Sequence, residues 1–84
     1  MPKKILMYTK DYCPYCDMAK ALLKRRGLQF EEINLQTQGQ DAVVALFQKS
    51  GMRTVPQIFA DDELIGGYTD LAELDSKDQL QSLQ

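Results

Sequence analysis

The 84-residue chain carries 10 lysines and arginines against 12 aspartates and glutamates, for a net charge of -2, with two cysteines and neither histidine nor tryptophan. That length forms one domain, expected over 1–84, which buries roughly 60 to 65 per cent of its unfolded surface. The charge balance excludes the basic footprint of a nucleic-acid binder, and no apolar run approaches the roughly 20 residues of a membrane span.

Residues 4 to 9, Lys-Ile-Leu-Met-Tyr-Thr, form an apolar run whose brevity favours a buried strand over a helix fragment. Lys3-Lys4 precedes only Ile5-Leu6-Met7-Tyr8, short of the ~7 to 15 apolar residues that follow the charges of a signal peptide. Pro14 suits a first helical position, and Tyr15, Met18, Ala19, Leu22 and Leu23 recur at helical spacing up to Gly27, which predicts a helix from about 14 to 26. Lys24-Arg25-Arg26 reads as its solvated end. Residues 29 to 34 carry Phe30 and Ile33 in a second strand; after the polar stretch Gln36 to Gln40, a helix is expected to turn Val43, Val44, Leu46 and Phe47 inward and to close at Gly51. Gln57-Ile58-Phe59-Ala60 and Leu64-Ile65 flank Asp61-Asp62-Glu63 as a hairpin that ends at Gly66-Gly67. Asp70-Leu71-Ala72-Glu73 has capping-box form, Ser76 with Gln79 is expected to open a further turn, and Leu71, Leu74, Leu80 and Leu83 are the packing residues. The order predicts an α/β sandwich, βαβαββα: one mixed four-stranded sheet flanked on both faces by helices.

Cys13-Pro14-Tyr15-Cys16 holds both cysteines of the chain where strand gives way to helix. Thiol–disulfide exchange needs one ionised, accessible sulfur and a second within reach to displace the mixed disulfide that follows. A structural zinc site wants four ligands, and this chain has neither a third cysteine nor a histidine to supply them, so no metal is expected. A structural staple across so short a loop removes only about 2 kcal/mol of unfolded-state entropy. Two buried, inert cysteines stay open as a packing role. With no disulfide framework beyond this pair, the reducing cytoplasm is the natural compartment.

Tyr8-Thr9-Lys10 before Cys13-Pro14-Tyr15-Cys16, then Thr54-Val55-Pro56-Gln57-Ile58-Phe59, then Gly66-Gly67-Tyr68-Thr69-Asp70-Leu71, closely resemble the three signature blocks of the dithiol glutaredoxins, most nearly the bacterial type. The match runs in order and spacing along essentially the whole chain. It implies the thioredoxin fold in a monomer with no permanently bound cofactor and glutathione as reducing co-substrate. The implied partners are glutathionylated or disulfide-bonded proteins, ribonucleotide reductase being one candidate, with no nucleic acid and no membrane.

Carried across, Cys13 resembles the nucleophile and Cys16 the resolving thiol. A helix N-terminus offers partial positive charge and unpaired N–H groups to the first sulfur, so Cys13, beside Pro14 and Lys10, is expected to titrate well below the free-thiol value of about 8.5. Attack gains little from this, since nucleophilicity falls as thiolate fraction rises; the benefit is that Cys13 becomes a good leaving group. Val55-Pro56 resembles the family's cis peptide beside the active site, where the Val55 backbone pairs with that of glutathione; the proline by itself leaves the isomer open. Glutathione has a carboxylate at each end. The resemblance places Lys10 and Arg53 at the glycine carboxylate, Tyr15, Thr54, Val55 and Pro56 along the tripeptide, and the helix start at Thr69-Asp70 at the γ-glutamyl end. Taken alone, Lys10, Arg53 and Asp70 read as a surface lysine, a solvated arginine and an N-cap aspartate.

Tyr12 departs from the family, which often has a small or hydroxyl residue before the first cysteine, and Met52-Arg53 occupies a variable approach to the Thr54-Val55-Pro56 turn. Both bear on partner preference. Two rival functions share these motifs: a redoxin recharged by thioredoxin reductase, and a dimeric iron–sulfur carrier with a cluster held by Cys13 and glutathione. Lys10 and Thr69-Asp70 favour glutathione over the first. Pro14 and Cys16 disfavour the second, whose specialists usually carry glycine and serine at those positions.

Overall fold

The computed structural model describes residues 3–83, so residues 1, 2 and 84 of the expected domain lie outside it. Its elements are β1 (Ile5–Thr9), α1 (Pro14–Arg25), β2 (Glu31–Asn34), α2 (Gln40–Ser50), β3 (Gln57–Ala60), β4 (Glu63–Gly66) and α3 (Tyr68–Ser76), with 3-10 turns at Leu35–Thr37 and Leu80–Leu83. The strands form one mixed sheet in the order β2-β1-β3-β4; β1 runs parallel to β2 and antiparallel to β3, and β3 and β4 are the antiparallel hairpin. This is the predicted element order.

Alternation along β1 sends Ile5, Met7 and Thr9 to one face of the sheet and Leu6 and Tyr8 to the other. On the first face, Ile5 and Met7 join Ala19, Leu22 and Leu23 of α1, Ile58 and Ala60 of β3 and Leu71 of α3, with Leu28, Leu80 and Leu83 closing the cluster. The Arg26 Nε and Nη2 donate to the two carboxylate oxygens of Asp75 at 2.7 and 3.1 Å, tying the end of α1 to α3. On the second face α2 buries Leu46 alone. There the Tyr8 ring meets Phe59 edge-on at 5.8 Å, and Lys49 Nζ lies 5.1 Å from the Phe59 centroid.

Three expectations are corrected and one turn is added. Val44 does not face inward: its neighbour Val43 lines up with Leu46 and Phe47 at helical spacing, which rotates Val44 into solvent. Overlapping the start of the polar stretch, Leu35–Thr37 forms a 3-10 turn, because the Asn34 Oδ1 accepts from the Gln36 N–H at 2.8 Å. Asp70 is not the cap residue: α3 begins after Gly67, and Asp70 sits in its first turn with Oδ2 accepting from the Gly67 N–H at 3.0 Å. Ser76 closes α3 instead of opening a turn, its hydroxyl donating to Glu73 O at 2.8 Å, and the next turn starts at Leu80.

Candidate active site

Three chain segments converge at the C-terminal end of β1: the start of α1, the loop before β3, and the start of α3. Cys13 is the N-cap of α1 in extended backbone, and Pro14 fills the first helical position, where its missing N–H costs nothing. The Cys13 Sγ accepts from the Cys16 N–H at 3.2 Å, as an N-cap serine oxygen would. Cys13 and Cys16 are joined as a disulfide with their Cα atoms 5.2 Å apart. The sequence predicts an accessible first sulfur and a sheltered second one; in this oxidised state both cysteines are buried, at 6% and 1% exposure.

The Val55–Pro56 peptide is cis, and Val55 O lies 3.8 Å from Cys13 Sγ. Gln57, fully buried, holds this loop from beneath: its Nε2 donates to Met52 O at 3.3 Å and Thr54 O at 3.0 Å, while its Oε1 has no partner among the described residues. Reversing the amide would press an oxygen against two carbonyls, so the orientation is fixed by chemistry. The third segment packs on the second: a β-carbon added at Gly67 would stand 3.4 Å from Pro56 O and 3.7 Å from the Met52 methyl. Gly66 has a φ of +129° and lies where a β-carbon would strike the Asp70 carboxylate, so only glycine lets Asp70 fold back over the turn. Tyr15 and Tyr68 link α1 to α3 with ring centroids 6.1 Å apart.

The structure thus brings together Cys13, Cys16, Tyr15, Val55 and Pro56. Thr54, Thr69 and Asp70 are exposed at the rim on the second and third segments. Lys10 and Arg53 are exposed and belong to none of the ion pairs formed among the described residues. Concavities of about 430 and 650 Å³ lie between β4 and α3, with Asp70 in the lining, and beside Leu28 and Phe30.

Two supports escaped the sequence reading. Asp11 N donates to Gln36 Oε1 at 2.6 Å and Asn34 Nδ2 to Asp11 Oδ1 at 2.8 Å, which anchors the approach to Cys13 on the end of β2. Behind it, buried Thr9 donates to Glu32 Oε2 at 2.7 Å, and Lys20 Nζ reaches the same oxygen at 3.2 Å. The Thr9 hydroxyl, then Lys20, holds the Glu32 carboxyl below its ordinary range, and Glu32 raises the Lys20 ammonium above its own. These partners lie more than 20 positions apart or on different elements; polar residues flanking a strand end were their only sequence trace. Gln57 had a clearer signal, as an amide directly before the apolar run Ile58-Phe59-Ala60.

Residues 5–65 match the Glutaredoxin family profile. The chain is 43% identical over 77 residues to Glutaredoxin 3 of Escherichia coli K12, covering 92% of each chain, and 41% identical over 80 residues to a glutaredoxin of Neisseria meningitidis serogroup A, covering 94% of this chain and 93% of that one. Among solved structures, the holo form of glutaredoxin C1 from Populus tremula x tremuloides superposes with a TM-score of 0.87 at 28% identity over 94% of this chain and 80% of its own. A buckwheat glutaredoxin–glutathione complex superposes with a TM-score of 0.86 at 31% identity, covering 96% and 76%.

Proposed function

The chain belongs to the glutaredoxin family, has the thioredoxin fold and is a glutathione-dependent thiol–disulfide oxidoreductase, and on that premise we propose that Cys13 attacks, Cys16 resolves, and glutathione lies across Val55 toward the start of α3. The observation that carries this reading is the position of the Cys13 sulfur: at the N-cap of α1, receiving the Cys16 N–H, and facing the Val55 carbonyl. A sulfur so placed is stabilised as thiolate by the helix end, while Cys16 sits one turn deeper.

On a glutathione–protein mixed disulfide, the Cys13 thiolate bonds to the glutathione sulfur and the protein sulfur leaves as thiolate. A second glutathione thiolate then attacks that bond, releasing glutathione disulfide and regenerating Cys13. On a protein disulfide, Cys13 bonds to one protein sulfur and expels the other; Cys16 then displaces the captured protein and forms the Cys13–Cys16 bridge, which two glutathiones reduce. Disulfide-bonded proteins, with ribonucleotide reductase as one candidate, are the expected substrates, in the reducing cytoplasm.

The Val55–Pro56 backbone and the exposed Thr54 and Tyr15 suit the middle of the tripeptide. The exposed Lys10 and Arg53 suit its glycine carboxylate, and the N–H groups at Thr69-Asp70 with the Asp70 carboxylate suit its γ-glutamyl carboxylate and ammonium. The test is a pair of variants on two substrates. Cys16→Ser should keep removal of glutathione from a peptide and lose most protein-disulfide reduction; Cys13→Ser should lose both. Deglutathionylation by Cys13→Ser would overturn the assignment of the nucleophile. Lys10→Glu and Asp70→Lys should each raise the KM for glutathione, and unchanged kinetics in both would show the tripeptide lies elsewhere.

A further inference from the structure

Among the described residues, four large apolar side chains stand in solvent: Tyr12 at 99%, Tyr15 at 60%, Met18 at 45% and Val44 at 45% exposure. Single exposed apolar residues are ordinary on any protein. Three of these four, however, lie within the short stretch from Tyr12 to Met18 that contains the reactive sulfurs, and Tyr15 and Met18, three positions apart on α1, are surface neighbours.

Tyr12 is also held in an unusual backbone. Its φ is +55°, a left-handed conformation that bulky side chains rarely adopt. The residues on either side are held by hydrogen bonds: Asp11 to Gln36 and Asn34, and the Cys13 sulfur to the Cys16 N–H. The ring is therefore projected outward, directly before the nucleophile, by contacts that do not involve the ring itself. Strain that the surroundings enforce beside a reactive group calls for a functional account.

We propose that Tyr12 and Met18 form a docking surface for the polypeptide of a disulfide-bonded substrate, and that it selects chains with an apolar residue next to the cysteine Cys13 captures. The proposal rests on the oxidoreductase reading above and names the partner of that site. Its occupant follows from the covalent step. While a protein sulfur is bonded to Cys13, the residues next to that sulfur are tethered over the residues next to Cys13. Glutathione, small and anionic, offers no large apolar group to such a surface. The exposed charges interleaved with it, Lys10, Asp11 and Asp17, are of mixed sign, so apolar contact is the feature it can read.

The experiment compares kcat/KM on three substrates: two synthetic peptides, each closed by one internal disulfide and identical except for Leu or Ser beside both cysteines, and a glutathione mixed disulfide of a small thiol. Peptide rates are normalised to the uncatalysed reaction with glutathione. Tyr12→Asn deletes the ring while tolerating the left-handed backbone, and Tyr12→Phe restores the ring. The wild-type chain should prefer the Leu peptide by about fivefold, the gain expected from burying part of one apolar side chain. Tyr12→Asn with Met18→Ser should abolish that preference, Tyr12→Phe should keep it, and the small mixed disulfide should turn over at an unchanged rate in all. Equal losses on all three substrates, or an unaltered Leu preference in the double variant, would overturn the proposal. So would conversion of a wild-type dimer to monomer by the double variant in sedimentation, since the occupant would then be a second copy. Absence of glutathione-dependent turnover in the wild type would overturn the oxidoreductase reading itself, and this proposal with it.

Discussion

On one face of the sheet, α1 and α3 bury Ala19, Leu22, Leu23 and Leu71 against Ile5, Met7, Ile58 and Ala60; on the other, α2 buries only Leu46, and a lysine stem shares the cover of Phe59. The dense face continues directly into the chemistry, since Cys16 is as buried as the core residues beneath it. The position of the α1 N-terminus, and with it the Cys13 sulfur, is set by tight apolar packing one turn away. The thin face contributes to the site at a single point, where Gln57 grips the loop that carries Val55.

The largest effects should separate the faces by stability. Leu23→Ala should cost roughly 3 to 4 kcal/mol and Leu46→Ala about 2 kcal/mol or less in urea unfolding, because the second site is already loosely enclosed. Equal losses would break the distinction. Next, Gln57→Met removes the amide donor to the Met52 and Thr54 carbonyls, for about 1 kcal/mol. If Gln57 holds the loop for glutathione, the KM for glutathione should rise several-fold with a smaller change in kcat, and a proportional fall in both would assign it to stability alone. Hydrogen exchange then sharpens the contrast without mutation: amides of α2 should exchange through local opening well before those of α1.

The smallest effect concerns the Thr9–Glu32–Lys20 cluster. The Glu32 carboxyl is held below its ordinary value of 4.5, chiefly by the Thr9 hydroxyl, so the stability it adds is present above that value and is lost as pH falls through the lower folded one. Wild type should exceed Glu32→Gln by under about 1 kcal/mol near neutral pH, as Glu32 is partly exposed, and the two should converge in acid. An advantage that persisted unchanged in acid would assign the effect to packing.

All seven principal elements were legible in local patterns: the apolar run of β1, the Pro14 and Gly27 limits of α1, and the Asp61-Asp62 turn of the hairpin. What escaped was set by partners distant in sequence. Val44 looked inward because an apolar residue within a helical run ordinarily is, yet the sheet offers α2 only a narrow stripe. Asp70 looked like a cap because aspartate so often is, while the true cap, Gly67, has no side chain to announce it. Of the site, the cysteines, the Val55–Pro56 turn and Gln57 stand in contiguous motifs; the Asp11–Asn34–Gln36 brace joins segments more than 20 positions apart, and no local pattern records such bonds.

Cys13 meets Val55 across 42 positions of the chain. A ribosome therefore delivers both sulfurs, β1 and α1 long before it delivers β3, and a helix of 12 residues is marginal in water on its own. Until β3 inserts beside β1, these cysteines are ordinary thiols without a glutathione shelf. Catalytic reactivity is thus acquired late by the nascent chain. A damaged copy loses its enzymatic power over other proteins' disulfides together with its structure, so turnover measured in a mixture counts the intact molecules.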